Sequence, residues 1–260
     1  MLKYYHSQSE RQKKGLYDMK RIICALLACT FGVVSAAAIS GCGCNGSKGK
    51  NQESKSSYQV VATQPDLKDD TFGFYIINGN ELMITRYYGS LSDVVIPDTY
   101  KNYTVTTIGH SVFDNDGIKT VTVPDTVTDI QDYAFASNKN LSSIKLSSNL
   151  EHLGTNAFFY CMSLETIELP TSLKSIEPFA FSASGLKTIV IPESENLTEL
   201  PEFMFHQCPN LKEVTIPATI TSIAKNAFNE CPSDLVLKVI EGSYAETYAQ
   251  EHNLTYVTIG

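Results

Sequence analysis

The sequence lacks every short spacing that usually carries chemistry. Gly-x-Ser-x-Gly, His-Glu-x-x-His, the phosphate-binding loop and the calcium loop are missing, and the 28 acidic residues form no paired-carboxylate motif at a special turn. No catalytic residue, metal ligand or cofactor site is assigned, and the chain reads as a non-enzyme. Basic residues are scarce: 20 Lys and Arg against 28 Asp and Glu, a formal charge of −8. Residues 1–41 hold six of those bases and two of those acids, so the remainder carries 14 against 26, or −12. A body that acidic repels phosphate, which excludes nucleic acid as a partner. Tryptophan is absent, and the seven cysteines make no disulfide framework, since only Cys161, Cys208 and Cys231 fall in the body. No apolar run reaches the roughly 20 residues of a membrane-spanning helix.

What is present begins with an address. From Met19 the chain reads MKRIICALLACTFGVVSAAAISGC, with Lys20 and Arg21 before an apolar run from Ile22 to Ala38 that closes on small residues. Those flanks are those of a signal peptide over residues 19–41, and residues 1–18 read as an over-extended start. The run Ile39-Ser40-Gly41-Cys42 resembles the lipobox of bacterial lipoproteins. That resemblance implies cleavage before Cys42 and lipid on its thiol, and two or more acyl chains anchor stably where one is marginal. Residues 43–70 are rich in Gly, Ser, Lys, Gln and Asn without apolar periodicity, so 42–70 is expected to be the lipidated Cys and a flexible tether.

Residues 71–260 repeat, with about six units of roughly 23 residues. The first column of Leu-x-x-Ile-x-Ile-Pro is Leu91, Ile118, Leu141, Leu164, Leu186, Leu211 and Leu235. The proline column is Pro97, Pro124, Pro170, Pro192 and Pro217, with Ser147 as its one departure. Further on, Phe113, Phe135, Phe158, Phe181, Phe205 and Phe228 form an unbroken aromatic column. Each unit is expected to be a strand stopped by proline, a second short extended piece, and a tight helical or 3₁₀ turn. No unit can bury its apolar face alone, so the units must stack into a solenoid. Both ends carry caps: Phe72–Ile77 and Glu81–Tyr87 flank the hairpin signal Asn78-Gly79, and Ser243-Tyr-Ala-Glu246 opens a helix to about His252 before a closing strand at Leu254–Ile259.

The units GIKTVTVPDTVTDIQDYAFASNKN, LETIELPTSLKSIEPFAFSASG and LKEVTIPATITSIAKNAFNEC resemble the BspA-like leucine-rich-repeat family of bacterial surface proteins. That resemblance covers about 71–260. It implies a right-handed β-rich solenoid of about six coils and a role in binding or adhesion at a cell surface, with no ligand residues to carry over.

The columns also test each suspicious residue against its siblings. His110, His152 and His206 each share a column with freely varying residues such as Asp132, Ser175 and Asn229, which makes them surface positions. Cys161, Cys208 and Cys231 share one with Asp116, Asn138 and Ser184, small polar residues expected to satisfy backbone groups inside a turn, and Cys208 and Cys231 fall in adjacent coils near enough for a disulfide to be conceivable. What remains is surface. The outward positions of the first strand read Asp93/Val95, Thr120/Thr122, Ser143/Lys145, Thr166/Glu168, Thr188/Val190 and Glu213/Thr215, a Thr-rich face suited to extended binding. Glu193–Asn196, in the longest repeat, and the loop Asp98–Tyr103 are secondary candidates. The expectation is an exported, lipid-anchored module that binds a protein partner. An envelope scaffold and a glycan-binding accessory are the alternatives, and few exposed aromatics on the strand face count against the latter.

Overall fold

The computed structural model of the chain describes residues 67–113 and 117–260. The signal peptide, Cys42 and nearly all of the expected tether lie outside the described residues. The tether's end differs from expectation: β1 (Leu67–Lys68) pairs antiparallel with β2 (Phe72–Ile76), so folded structure begins four residues before 71. The reason is local. Asp69 accepts the amides of Thr71 and Phe72 in a turn that folds β1 back, and the Tyr100 hydroxyl donates to the Lys68 carbonyl at 2.7 Å.

A hairpin joins β2 to β3 (Glu81–Tyr87), with Gly79 at φ +66 where a side chain would be strained. From there the chain alternates between two strand sets. β4 (Asp93–Val95) is followed by β5 (Thr99–Tyr100) and β6 (Tyr103–Ile108), then β7 (Thr120–Thr122), β8 (Asp129–Ile130), β9 (Ser143–Lys145), β10 (His152–Leu153) and β11 (Ser175–Ile176). Next come β12 (Thr188–Val190), β13 (Glu199–Leu200), β14 (Glu213–Ile216), β15 (Ser222–Ile223) and β16 (Val236–Ile240). Helix α1 (Tyr244–Glu251) and β17 (Thr255–Ile259) close the chain.

The first set comprises β4, β7, β9, residues 166–168, β12, β14, β16 and β17, giving about eight turns where six carry phenylalanine. The closing strand is therefore a further rung: β17 pairs parallel with β16 over five residues, as coil pairs with coil elsewhere. Along this set the alternation of side chains puts Val94, Val121, Ile144, Ile167, Ile189 and Val214 inside. The first leucine column is buried throughout except at Leu91, which is 63% exposed. It stands in the first rung of that set, where no preceding coil covers it.

The phenylalanines form one continuous stack. Successive centroids lie 4.8, 5.3, 5.6, 5.9 and 5.5 Å apart, with ring planes within 13° of parallel. Coils spaced by a β-ladder leave room for little else, so ring spacing follows strand spacing. The expected helical or 3₁₀ turn is instead a run of tight turns, with left-handed residues on both sides of Phe135, Phe158, Phe181 and Phe205 and after Phe228. Tyr133, Asn156, Phe179 and Phe203 precede the ring by two positions, and Ser137, Tyr160, Ala183, Gln207 and Glu230 follow by two, all at φ between 54 and 64°. Alternating handedness aims every second amide at the next coil. Tyr133, Phe135 and Ser137 donate to Thr155, Phe158's neighbour Ala157, and Phe159. Those bonds offset a backbone strain of about 1–2 kcal/mol per non-glycine residue.

At the far end Ser243 Oγ accepts the Glu246 amide, while the Glu246 carboxylate accepts the Gly242 amide at 2.7 Å. The capping box thus closes on Gly242, one residue before the serine. Tyr248 of α1 is buried against Phe228 and seals the ring stack.

Candidate binding surfaces

The first strand set brings the outward residues together in two groups. Thr120 stands beside Ser143 and Thr122 beside Lys145; Thr188 stands beside Glu213 and Val190 beside Thr215. Glu168 joins the second group by a bridge to Val190. Between β9 and residues 166–168 no ladder pairing forms among the described residues, so the face is two adjoining patches rather than one continuous strip. Thr122, Ser143, Lys145, Thr166, Glu168, Thr188 and Val190 are exposed, and Thr120, Glu213 and Thr215 are half-buried. Some of these groups already have partners: Thr120 donates to Asp93 at 2.6 Å, holding that carboxyl below the usual range, and Glu213 pairs with Lys238 at 2.8 Å. Lys145 and Glu168 have no ion pair among the described residues, and Val95 and Val190 add exposed apolar surface at 71% and 61%.

Of the secondary candidates, the Asp98–Tyr103 loop is spent on the fold. It is the β5–β6 hairpin, and Tyr100 stacks on Phe74 at 4.4 Å. In Glu193–Asn196 the Ser194 hydroxyl is buried and donates to the Leu173 carbonyl, leaving Glu193, Glu195 and Asn196 exposed. Asn196 reaches a feature that the column reading did not anticipate. A cavity of about 610 Å³ lies on the second strand set, between the coil of β11 and that of β13. Its signal in the sequence is Pro201, which stands where the other coils have residues with a backbone N–H.

The cysteine column performs the expected backbone role. Cys161, Cys208 and Cys231 each donate Sγ–H to a phenylalanine carbonyl of the preceding coil, those of Phe135, Phe181 and Phe205, at 3.1–3.2 Å. Asn138 does the same with its amide toward Phe113. All three thiols are free, so Cys208 and Cys231 do not pair. Desolvation pushes the Cys161 and Cys231 thiols up to about 12 and raises that of Cys208. A thiol so placed stays protonated and unreactive. Cys161 and Cys208 should therefore resist alkylation in the native protein at pH 8 and react fully in denaturant; fast native labelling would contradict the burial. Because the unfolded thiol titrates near 9.0, its contribution to stability is complete below that pH and is lost as pH rises from there toward about 12.

Of the three histidines expected at the surface only His152 is exposed; His110 and His206 are half-buried. His152 Nδ1 lies 3.0 Å from Ser175 Oγ, but Glu151 is 3.9 Å from the other ring nitrogen and is held instead by Lys174 at 2.7 Å. The ring therefore lacks the carboxylate that would orient it as a base. His110 packs edge-on to Tyr133, and burial lowers its pKa. Among the described residues no cluster of three His, Cys, Asp or Glu can hold a metal, and no helix is long and apolar enough to cross a membrane.

A parallel β-solenoid with a leucine column, a phenylalanine column and a polar ladder in its turns defines a leucine-rich-repeat protein. The pattern of the BspA type leucine rich repeat region matches residues 106–234 in six copies, and the chain belongs to that family. A leucine rich cell surface protein from Faecalibacterium prausnitzii A2-165 is 27% identical, over 68% of this chain and 55% of that one, with a TM-score of 0.56. This chain thus spans about half the length of that relative. The Treponema pallidum (T. pallidum) leucine rich repeat protein shares the fold at 21% identity, over 74% of this chain and 98% of that one, TM-score 0.57. The pneumococcal vaccine antigen PcpA shares it at 24% identity, over 68% and 50%, TM-score 0.56. No curated protein matches the chain.

Proposed function

We propose that the chain is exported, anchored at a bacterial cell surface by lipid on Cys42, and acts there as a non-catalytic module binding a protein partner through the outward face of its first strand set. The observation that carries the binding reading is the repeated presentation of side chains, rung upon rung, with free charges at Lys145 and Glu168 on either side of the junction between the two patches. A rigid array of this kind binds without ordering itself first, which lowers the entropic cost of association. The apolar run ending in Ile39-Ser40-Gly41-Cys42 supports export and anchoring, and the cell-surface relative supports the location.

The test is to immobilise the protein and challenge it with matrix proteins, glycans and envelope extracts. Saturable binding of a purified protein, weakened at least tenfold by Lys145→Glu with Glu168→Lys, is the expected result. Binding of polysaccharide alone would overturn it. Cys42→Ala should move the protein from the membrane fraction to the soluble fraction, and retention in the membrane would refute the lipid anchor.

A further inference from the structure

The first strand set is left open at its start. Among the described residues β4 has β7 as its one ladder partner, while the second set runs three strands further, through β3 and β2 to β1. Thr120 donates to the Ser92 carbonyl and Ile96 to the Thr122 carbonyl, both at 3.0 Å. By the alternation of a parallel ladder, the backbone groups of Val94 also serve β7, and those of Asp93 and Val95 point off the open edge. The same rung carries bare apolar surface, with Leu91 63% and Val95 71% exposed. An edge strand with free amides, free carbonyls and uncovered apolar side chains is a template for a further strand, and native folds cover it.

Two observations name the strand. The first is where the chain enters the fold. β1 runs antiparallel to β2, β2 antiparallel to β3, and β3 parallel to β6, so β1 and β6 share a direction. The Tyr100 hydroxyl donates to the Lys68 carbonyl, and Leu67 is paired with Phe74, whose ring stacks on Tyr100. Tyr100 lies in the connection that carries the coil of β4 over to β6, so the residues before Leu67 arrive from the side of β4. The second observation is spacing. Nine residues separate the inward residue of the first strand from that of the second in the coils Val121–Ile130, Ile144–Leu153, Ile167–Ile176 and Val214–Ile223. Leu67 packs against the core as the inward residue of β1, and nine residues before it stands Tyr58. Tyr58-Gln59-Val60 then repeats the inward pair of Val121-Thr122-Val123. All the Tyr, Val and Ala residues between Gly43 and Asp66 fall in Tyr58–Ala62, and Tyr and Val favour strands. The step from the edge of β4 to β1 is two strand spacings, about 10 Å. The residues from Gln59 to Asp66, at up to about 3.4 Å each, cover it and the crossing between the sets.

We propose that Ser57–Val61 closes the edge of β4 as a further rung, running parallel to it with Tyr58 beside Val94. In that register the Tyr58 amide donates to the Asp93 carbonyl, the Val95 amide to the Tyr58 carbonyl, and the Val60 amide to the Val95 carbonyl. Alternation sends Tyr58 inward, toward the end of the core that Leu91 leaves bare. Ser57 and Gln59 turn outward and lengthen the first-strand face by one rung. The edge is then shut to other chains, and the chain between Cys42 and the fold shortens to 42–56. This closure is the same whether or not Cys42 carries lipid, and it leaves Lys145 and Glu168 untouched.

The test is a cysteine pair in the whole protein. Gln59→Cys with Val95→Cys places two thiols opposite each other in the proposed register, to be oxidised with copper phenanthroline and read by mass spectrometry of the linked peptides. A link within one chain is expected, with at least tenfold less for Asn51→Cys with Val95→Cys. Mixing unlabelled and ¹⁵N-labelled protein separates links within a chain from links between two copies. Amide exchange supplies a second measurement on a protein without added cysteines. Residues 92–96 are expected to exchange at least tenfold faster in Tyr58→Asp/Val60→Asp than in the wild type, while residues 188–192 stay unchanged. The proposal is overturned by no link in the Gln59→Cys/Val95→Cys protein, by an equal yield from the Asn51→Cys pair, by links between copies, or by equal exchange of 92–96 in the two proteins.

Discussion

Replacing Phe158 with alanine is expected to cost about 3–5 kcal/mol of unfolding free energy. The ring is fully buried and lies between Phe135 at 5.3 Å and Phe181 at 5.6 Å, its plane within 3° of both. Truncation removes the transfer energy of one aromatic side chain and leaves a void that the turns cannot collapse into. Their amides are committed to both neighbours: Phe158 donates to Ala180, and Phe135 donates to Ala157. In a stacked array, coil-to-coil interfaces carry most of the stability, so damage in the middle weakens two interfaces at once. Urea unfolding of the wild type and the variant measures it. A change below about 1 kcal/mol would show that the stack is not the core.

The second large effect is expected at Asn138. Its amide donates to the Phe113 and Phe135 carbonyls from a position with no solvent exposure. Asn138→Val removes the side-chain donor and strands the Phe113 carbonyl at a cost of about 1–3 kcal/mol, while the Phe135 carbonyl keeps the Cys161 thiol. Asn138→Cys should be tolerated far better, because Cys161, Cys208 and Cys231 perform the same service three times in this chain. Equal midpoints for the Val and Cys variants in thermal unfolding would show that polarity is not what this column selects.

A solenoid turns a sequence period into a spatial neighbour, so residues one repeat apart share an environment. Asn138, Cys161 and Cys208 form one set by their spacing alone, and the bonds to Phe113, Phe135 and Phe181 are what that set does. Leu91 misled for the same reason. It matches its column in type, but burial comes from the coil beneath it, and in the first rung there is none. Leu67–Lys68 misled because two residues in polar surroundings carry no periodicity; their pairing depends on Asp69 and on Tyr100 more than thirty residues away.

By itself, then, the sequence determined the register of the coils, the phenylalanine stack, the caps and the outward face. Each of these follows from an apolar period that only stacking can bury. Only the tertiary structure decided the breaks: the interruption between β9 and residues 166–168, and the groove between β11 and β13. A break is a property of two coils and of the amides between them. Pro201 takes on its meaning only beside Gln131, Gly154, Glu177 and Ala224, each of which gives the bond that proline cannot.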